Sequence, residues 1–185
     1  MTIQTKEFTL KDGRKAQIRS PRDEDIPGIL DYLRLSAGET HFIIRYPEEC
    51  GDYTPEGEKA LFDRVNTSDN EAMLICLVDG KVAGNCNIGW SRHLKTRHRA
   101  TIGIALLKEF WNQGIGTRLL QELIRIAEAN PDILQMELDF IEGNARARAL
   151  YEKMGFRIAG VRPNAIRLKD GSLLNEYFMI RPICR

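Results

Sequence analysis

Little in this chain commits it to a specialised class. Only four cysteines, Cys50, Cys76, Cys86 and Cys184, occur in 185 residues. They form no close CxxC pair, and no histidine is spaced to complete a zinc site, so neither a disulfide framework nor a Cys/His metal fold is read. Reduced thiols in a cytoplasmic protein are expected instead, with no bound metal. Charge of one sign is also missing: 27 basic and 26 acidic residues leave a net charge of +1. That balance suggests no polyanion, and nucleic acid is not expected as a partner. The longest apolar run, AMLICLV from Ala72 to Val78, is far short of the ~18 residues of a membrane span, so no membrane partner is expected. The opening stretch MTIQTKEFTLKDGRK has no apolar segment of the kind a secretory signal needs. Repeats, low-complexity tracts and Pro/Gly/Ser-rich linkers are absent, and one domain over residues 1–185 is the reading.

What is present is an ordinary globular composition, 43% hydrophobic and 29% charged, with strands paired around Asp-Gly turns. FTL and AQIRS flank Asp12-Gly13, AMLICLV and VAGNCNIGW flank Asp79-Gly80, and FRIAGVRPNAIRL and LLNEYFMI flank Asp170-Gly171. Each is a hairpin signal. Helical spacing appears over Arg22–Ser36 through Ile26, Ile29, Leu30 and Leu33, and more weakly over Pro55–Val65 around Ala60, Leu61 and Val65. ATIGIALL, Ala100 to Leu107, reads as a buried strand. A strong amphipathic helix follows, carrying Ile115, Leu119, Leu123 and Ile126 and ending at Asn130-Pro131. The strand LQMELDF and a helix from about Asn144 to Met154, with Ala147, Leu150, Tyr151 and Met154 inward, complete the set. The class is α+β: a central mixed, mostly antiparallel sheet of about seven strands with about four helices.

FWNQGIGTRLL, Phe110 to Leu120, carries the chemistry. Gly114 and Gly116 let an anion approach the backbone, and the N–H groups of the first helical turn point at it with the helix dipole behind them. A dinucleotide fingerprint fails because Leu119 holds the third glycine position and KEFWNQ separates strand from turn, although Glu137 lies near the spacing of a ribose carboxylate. A Walker A loop fails because no Gly-Lys-Ser/Thr follows.

WNQGIG, Trp111 to Gly116, resembles the Gln/Arg-x-x-Gly-x-Gly/Ala turn of the GNAT superfamily of N-acetyltransferases, with Trp111 where Gln or Arg is more usual. EGNARARALYEKMGF, Glu142 to Phe156, is similar to that family's second hallmark: Asn144, Ala147, Leu150, Tyr151, Lys153, Gly155 and Phe156 all fall at its spacing. The resemblance runs from about Ala72 to the C-terminus; before Ala72 only the strand-helix-helix order agrees. It implies acetyl coenzyme A as co-substrate and an amine, small-molecule or peptide, as acceptor. It further implies that the turn from Gln113 through Gly114, Ile115, Gly116 and Thr117 holds the pyrophosphate. Backbone N–H groups near Leu106 and Leu107 would bond the pantetheine arm and the thioester oxygen, Asn144 would bond or position the pantetheine, and Tyr151 would protonate the departing thiolate. A homodimer is left open.

The general base stays open. A primary amine with a pKa near ~10 is about one part in a thousand neutral at pH 7, so some group must take its proton. Glu39, His98, Glu137, Asp139 or a water chain are the candidates. Glu137 and Asp139 share one face of their strand, where a solvated edge carboxylate is the plain expectation. RHLKTRHRA reads as an exposed basic loop. The acceptor pocket is expected in ETHFIIRYPEECGDYTPEGE, whose Glu39, Glu48, Glu49, Asp52, Glu56 and Glu58 would suit a cationic amine.

Overall fold

All three Asp-Gly turns close hairpins in the computed structural model, which describes residues 1–183; Cys184 lies outside them. Strands β1 (Lys6–Thr9) and β2 (Lys15–Arg19) form the first, β3 (Glu71–Val78) and β4 (Lys81–Trp90) the second, and β7 (Arg157–Arg167) and β8 (Leu173–Pro182) the third. Asp79 and Gly80 both have positive φ, 49° and 80°, the tight-turn geometry whose twist matches that of the strands it joins. Between the hairpins lie α1 (Ile26–Glu39), α2 (Pro55–Thr67), β5 (Arg99–Leu106), α3 (Ile115–Ala129), β6 (Gln135–Ile141) and α4 (Ala145–Lys153). The eight strands follow the order β1-β2-β3-β4-β5-β6-β8-β7, one strand more than the expected seven. The pairs β1–β2, β2–β3, β3–β4, β6–β8 and β7–β8 are antiparallel. β5 and β6 pair in parallel, as a crossover through α3 requires.

The chain divides into two compact units, Met1–Gly89 with Gly103–Leu120, and Trp90–Ile102 with Gln121–Arg185. In the first, α1 buries Ile26, Ile29 and Leu33 as the spacing predicts, and also Tyr32. A buried ion pair anchors its entry: Arg19 reaches Asp25 at 2.7 and 2.8 Å, and the N–H of Arg22 donates to the same carboxylate at 2.7 Å. Helix α2 starts at Thr54, whose hydroxyl accepts from the N–H of Gly57 at 3.1 Å. Its inward stripe is Glu58, Phe62 and Val65. The expected Ala60 is exposed and Leu61 half-buried, because a carboxylate occupies an inward position that hydrophobicity alone passes over. Strand β3 is buried nearly throughout. β5 departs from the buried strand expected: Thr101 is exposed and Gly103–Leu106 are half-buried.

In the second unit β6 is an interior strand between β5 and β8, so its acidic residues do not stand on a sheet edge. α4 buries Tyr151, while Ala147, Leu150 and Met154 are half-buried. Gly155, at φ 85°, ends it.

Candidate active site

The turn before α3 lies in the first unit. A 3-10 turn, Lys108–Phe110, leads from β5 to it, and Asn112 and Gly114 then take φ of 63° and 89°. These left-handed residues reverse the chain so that α3 begins at Ile115. Its first i to i−4 bond runs from Arg118 N–H to the Gly114 carbonyl at 3.2 Å. The N–H groups of Ile115, Gly116 and Thr117 thus precede the helical ladder. A Cβ added to Gly114 would meet nothing within 4 Å. Trp111 turns back: its indole N–H donates to the Leu106 carbonyl at 2.9 Å and Lys108 lies over its ring. The Gln113 side chain accepts from the N–H of Asp12 at 3.3 Å, which leaves the backbone of the turn to face an anion.

Two glycines let β4 and β5 approach closely. A Cβ on Gly84 would stand 2.2 Å from Leu106 Cδ2 and 2.5 Å from the Ala105 carbonyl oxygen, and one on Gly103 would stand 2.7 Å from Asn87 Oδ1. Leu106 is half-buried at the end of β5. Leu107 is buried, and its N–H donates to the Ala83 carbonyl at 3.0 Å, so in this structure that amide is engaged with β4. Glu39 accepts from the N–H of Lys108 at 2.7 Å, which ties the end of α1 to the segment after β5. The Tyr32 hydroxyl lies 2.8 Å from Asn85 Oδ1 and 3.0 Å from the Ala105 carbonyl oxygen. Burial pushes its ionisation well above the ordinary phenol range. The sequence reading missed Tyr32; the signal was the only aromatic residue in α1, one position from the inward Leu33.

Beside Asn85, α1, α2, β3 and β4 enclose a cavity of about 270 Å³. Ile29, Leu33, Val65 and Ile88 supply apolar wall, while Glu58, Asn85 and Asn87 supply polar groups. Glu58 is 5% exposed. Among the described residues no group hydrogen-bonds its carboxylate. Burial raises its pKa, and the charge of Arg45 opposes that rise. The other acidic residues of this stretch act elsewhere or face solvent; Glu49, for example, accepts from the N–H of Tyr46 at 2.6 Å and caps a 3-10 turn.

The second unit holds the remaining expected residues. Asn144 caps α4, accepting from the N–H of Ala147 at 3.2 Å. Tyr151 is buried with its ring 6.2 Å from both Phe140 and Phe156. Among the described residues its hydroxyl has no hydrogen-bond partner, and burial pushes its pKa up to about 12. Glu137 is buried, with Gln135 Nε2 donating to it at 2.6 Å and Arg99 at 3.6 Å. The edge-carboxylate expectation is corrected for it by the interior place of β6; Asp139 is exposed. His98 is half-buried, and its carbonyl accepts from Leu134 and Gln135. Among the described residues no group of three or more His, Cys, Asp or Glu side chains is placed to hold a metal ion. Among the described residues no helix is long and apolar enough to cross a membrane.

The acetyltransferase (GNAT) family profile matches residues 39–156, and the chain belongs to that family: it is an acetyl-CoA-dependent N-acetyltransferase. The match begins ahead of Ala72, earlier than the motifs alone suggest. An L-amino acid N-acetyltransferase of Escherichia coli is 29% identical over 108 residues, 58% of this chain, which spans 66% of that relative's length. An N-alpha-acetyltransferase of Saccharolobus solfataricus is 26% identical over 96% of this chain and 99% of its own. Among solved structures, an acetyltransferase of the GNAT family from Streptococcus pneumoniae superposes with a TM-score of 0.85 at 28% identity, covering 91% of this chain and 99% of that one. A phosphinothricin acetyltransferase from Sinorhizobium meliloti in complex with acetyl-CoA shares the fold with a TM-score of 0.77 at 22% identity, over 91% and 88% of the two chains.

Proposed function

We propose that this enzyme, as a single domain over residues 1–185, acetylates the α-amino group of an amino acid or of a peptide end. The observation that carries the mechanism is Tyr151: a buried ring whose hydroxyl keeps some access to solvent, has no hydrogen-bond partner among the described residues and has its pKa near 12. Such a group stays protonated at neutral pH and is a donor in search of an acceptor. In the reaction the amine nitrogen attacks the thioester carbonyl, the N–C bond forms and the C–S bond breaks. Tyr151 gives its proton to the leaving thiolate. The backbone from Gln113 to Thr117 holds the pyrophosphate, Leu106 and Leu107 lie along the pantetheine arm, and Asn144 orders α4 and with it Tyr151. The acceptor class is supported by the two amino-group acetyltransferases among the relatives. It is also supported by the cavity of about 270 Å³, smaller than the ~300–1,000 Å³ of sites for drug-sized ligands. A cytoplasmic setting fits the buried thiols of Cys50, Cys76 and Cys86.

The test is a thermal-shift series with acetyl coenzyme A, coenzyme A and NAD, followed by free-thiol release with a panel of amino acids and short peptides. Acetyl coenzyme A at ~100 times its dissociation constant adds about 2.7 kcal/mol of stability. Turnover with α-amino acceptors is expected. Binding without thiol release on any amine would leave a coenzyme-binding protein and end the catalytic reading.

A further inference from the structure

None of the four side chains that the sequence nominates as general base lines the cavity. Glu39 is hydrogen-bonded to the backbone of Lys108, and His98, Glu137 and Asp139 belong to the other compact unit. Glu58, which the sequence counts among the acidic residues of the expected acceptor pocket but not among the candidate bases, is there instead. Glu58 sits on the inward stripe of α2, at i−4 from Phe62 and i−7 from Val65, 5% exposed and without a hydrogen-bond partner among the described residues.

The side chain packs on the inner face of α2 while its carboxylate oxygens keep contact with the open space of the cavity, and a carboxylate so largely desolvated favours a cationic partner. The wall facing it from α1 and β4 is apolar or neutral: Ile29, Leu33, Asn85, Asn87 and Ile88. The charged groups around it are Arg45 from the segment between α1 and α2, Arg64 of its own helix, and Glu71 of β3, with the phenol of Tyr53 also in the wall. Arg64 lies 3.6 Å from Glu71. Arg45 donates to Ser36 and lies over the Tyr53 ring, and its Nε is buried without a hydrogen-bond partner; its charge acts on Glu58, but among the described residues no cation stands within ion-pair distance of that carboxylate. The cavity side of Glu58 is thus open to a cation, and the cation an acetyl acceptor brings is its own ammonium group. Asn85 joins this wall to β5: it is 2.8 Å from the Tyr32 hydroxyl, which is 3.0 Å from the carbonyl oxygen of Ala105, the residue before Leu106.

We propose that Glu58 is the general base, receiving the acceptor's ammonium group in this cavity and taking one proton from it before attack. The inference rests on the acetyl-transfer reading above. The step balances: the ammonium gives one proton to the Glu58 carboxylate, and the neutral amine attacks the thioester. The second nitrogen proton replaces the one Tyr151 gives to the thiolate, and Glu58 returns its proton to solvent. Burial helps, because it raises the affinity of Glu58 for a proton toward that of the base a neutral-pH reaction needs.

Glu58→Gln keeps shape and removes the base. Expected is a fall in kcat/KM of about 100-fold on an alkylamine acceptor at neutral pH, with acetyl coenzyme A affinity unchanged. The deficit narrows as pH rises toward the acceptor's own pKa. On an acceptor whose ammonium pKa lies below about 6, already neutral at pH 7, the loss should be no more than a few-fold. An equal loss on both acceptors would show that Glu58 only shapes the cavity, and no loss on either would show that the proton goes elsewhere; each overturns the inference while leaving acetyl transfer intact. Absence of turnover in the wild type on every amine would remove the acetyl-transfer reading and the base with it. If the glutamine variant does not fold, Glu58→Asp decides. Retaining a carboxylate, it should keep the acid limb of the kcat/KM profile on the alkylamine at reduced amplitude, and a profile identical to wild type would overturn the assignment.

Discussion

The N–H of Leu107 donates to the carbonyl of Ala83 at 3.0 Å, closing β5 onto β4 just where Gly84 follows. That closure leaves no room for a side chain at Gly84, since a Cβ would stand 2.5 Å from the Ala105 carbonyl oxygen. Leu106 can rotate away; a backbone carbonyl in a strand cannot. Gly84→Ala should cost about 1–3 kcal/mol through forced separation of the strands, and should weaken acetyl coenzyme A binding because Leu106 moves with β5. Denaturant unfolding and titration of the coenzyme on one variant measure both; a stable variant with wild-type affinity would show that the close approach is incidental.

Gly114 separates strain from charge. Its φ of 89° penalises any side chain, while the space around its Cβ is open. Gly114→Ala should lose roughly 1–2 kcal/mol of stability from backbone strain, with modest loss of coenzyme affinity. Gly114→Asp should match it in stability but bind acetyl coenzyme A several-fold more weakly still, since a carboxylate would face the helix N-terminus expected to hold the pyrophosphate. Equal affinities for the two variants would place the phosphate elsewhere.

Tyr151→Phe removes a hydroxyl without a hydrogen-bond partner among the described residues, so the melting temperature at neutral pH should barely change. The turnover rate should fall by about 100-fold with coenzyme affinity preserved. A wild-type rate would exclude Tyr151 as the acid.

The same hydroxyl has a signature at high pH. Its ionisation is raised from near 10 to about 12 on folding, so the unfolded chain loses this proton first. The folded state is therefore penalised as pH climbs from about 10 to about 12 and is unaffected below that window. Chemical denaturation across that range should show a shallower alkaline decline for Tyr151→Phe than for the wild type. Parallel curves would mean that the phenol is solvated.

The Arg19–Asp25 pair, 5% and 6% exposed, predicts a stability effect remote from the glycine turn. Asp25→Asn would leave the buried guanidinium only the exposed carboxylate of Glu24, 3.6 Å away, and should cost about 3 kcal/mol. A change within about 0.5 kcal/mol, the scale of an exposed substitution, would show that water reaches Arg19.

The sequence by itself determined the elements and, through its family resemblance, the co-substrate. Three Asp-Gly pairs, a helix entered through Gly114 and Gly116, and the Asn144–Phe156 segment are local signals, because turn geometry, helix entry and capping are set within a few residues. They were legible without a fold. What only the tertiary structure decided is which acid faces what. Glu137 is buried because β8 returns to lie beside β6. Glu39 is fixed to Lys108. Glu58, one of six acidic residues in a loop-like stretch, alone among them lines the cavity. The family resemblance likewise offers the Leu107 amide to the pantetheine arm or thioester, and the pairing with Ala83 engages it. The physical reason is common to all four. Burial and hydrogen-bond partners of a polar group come from segments distant in the chain, and no periodicity within its own element records them.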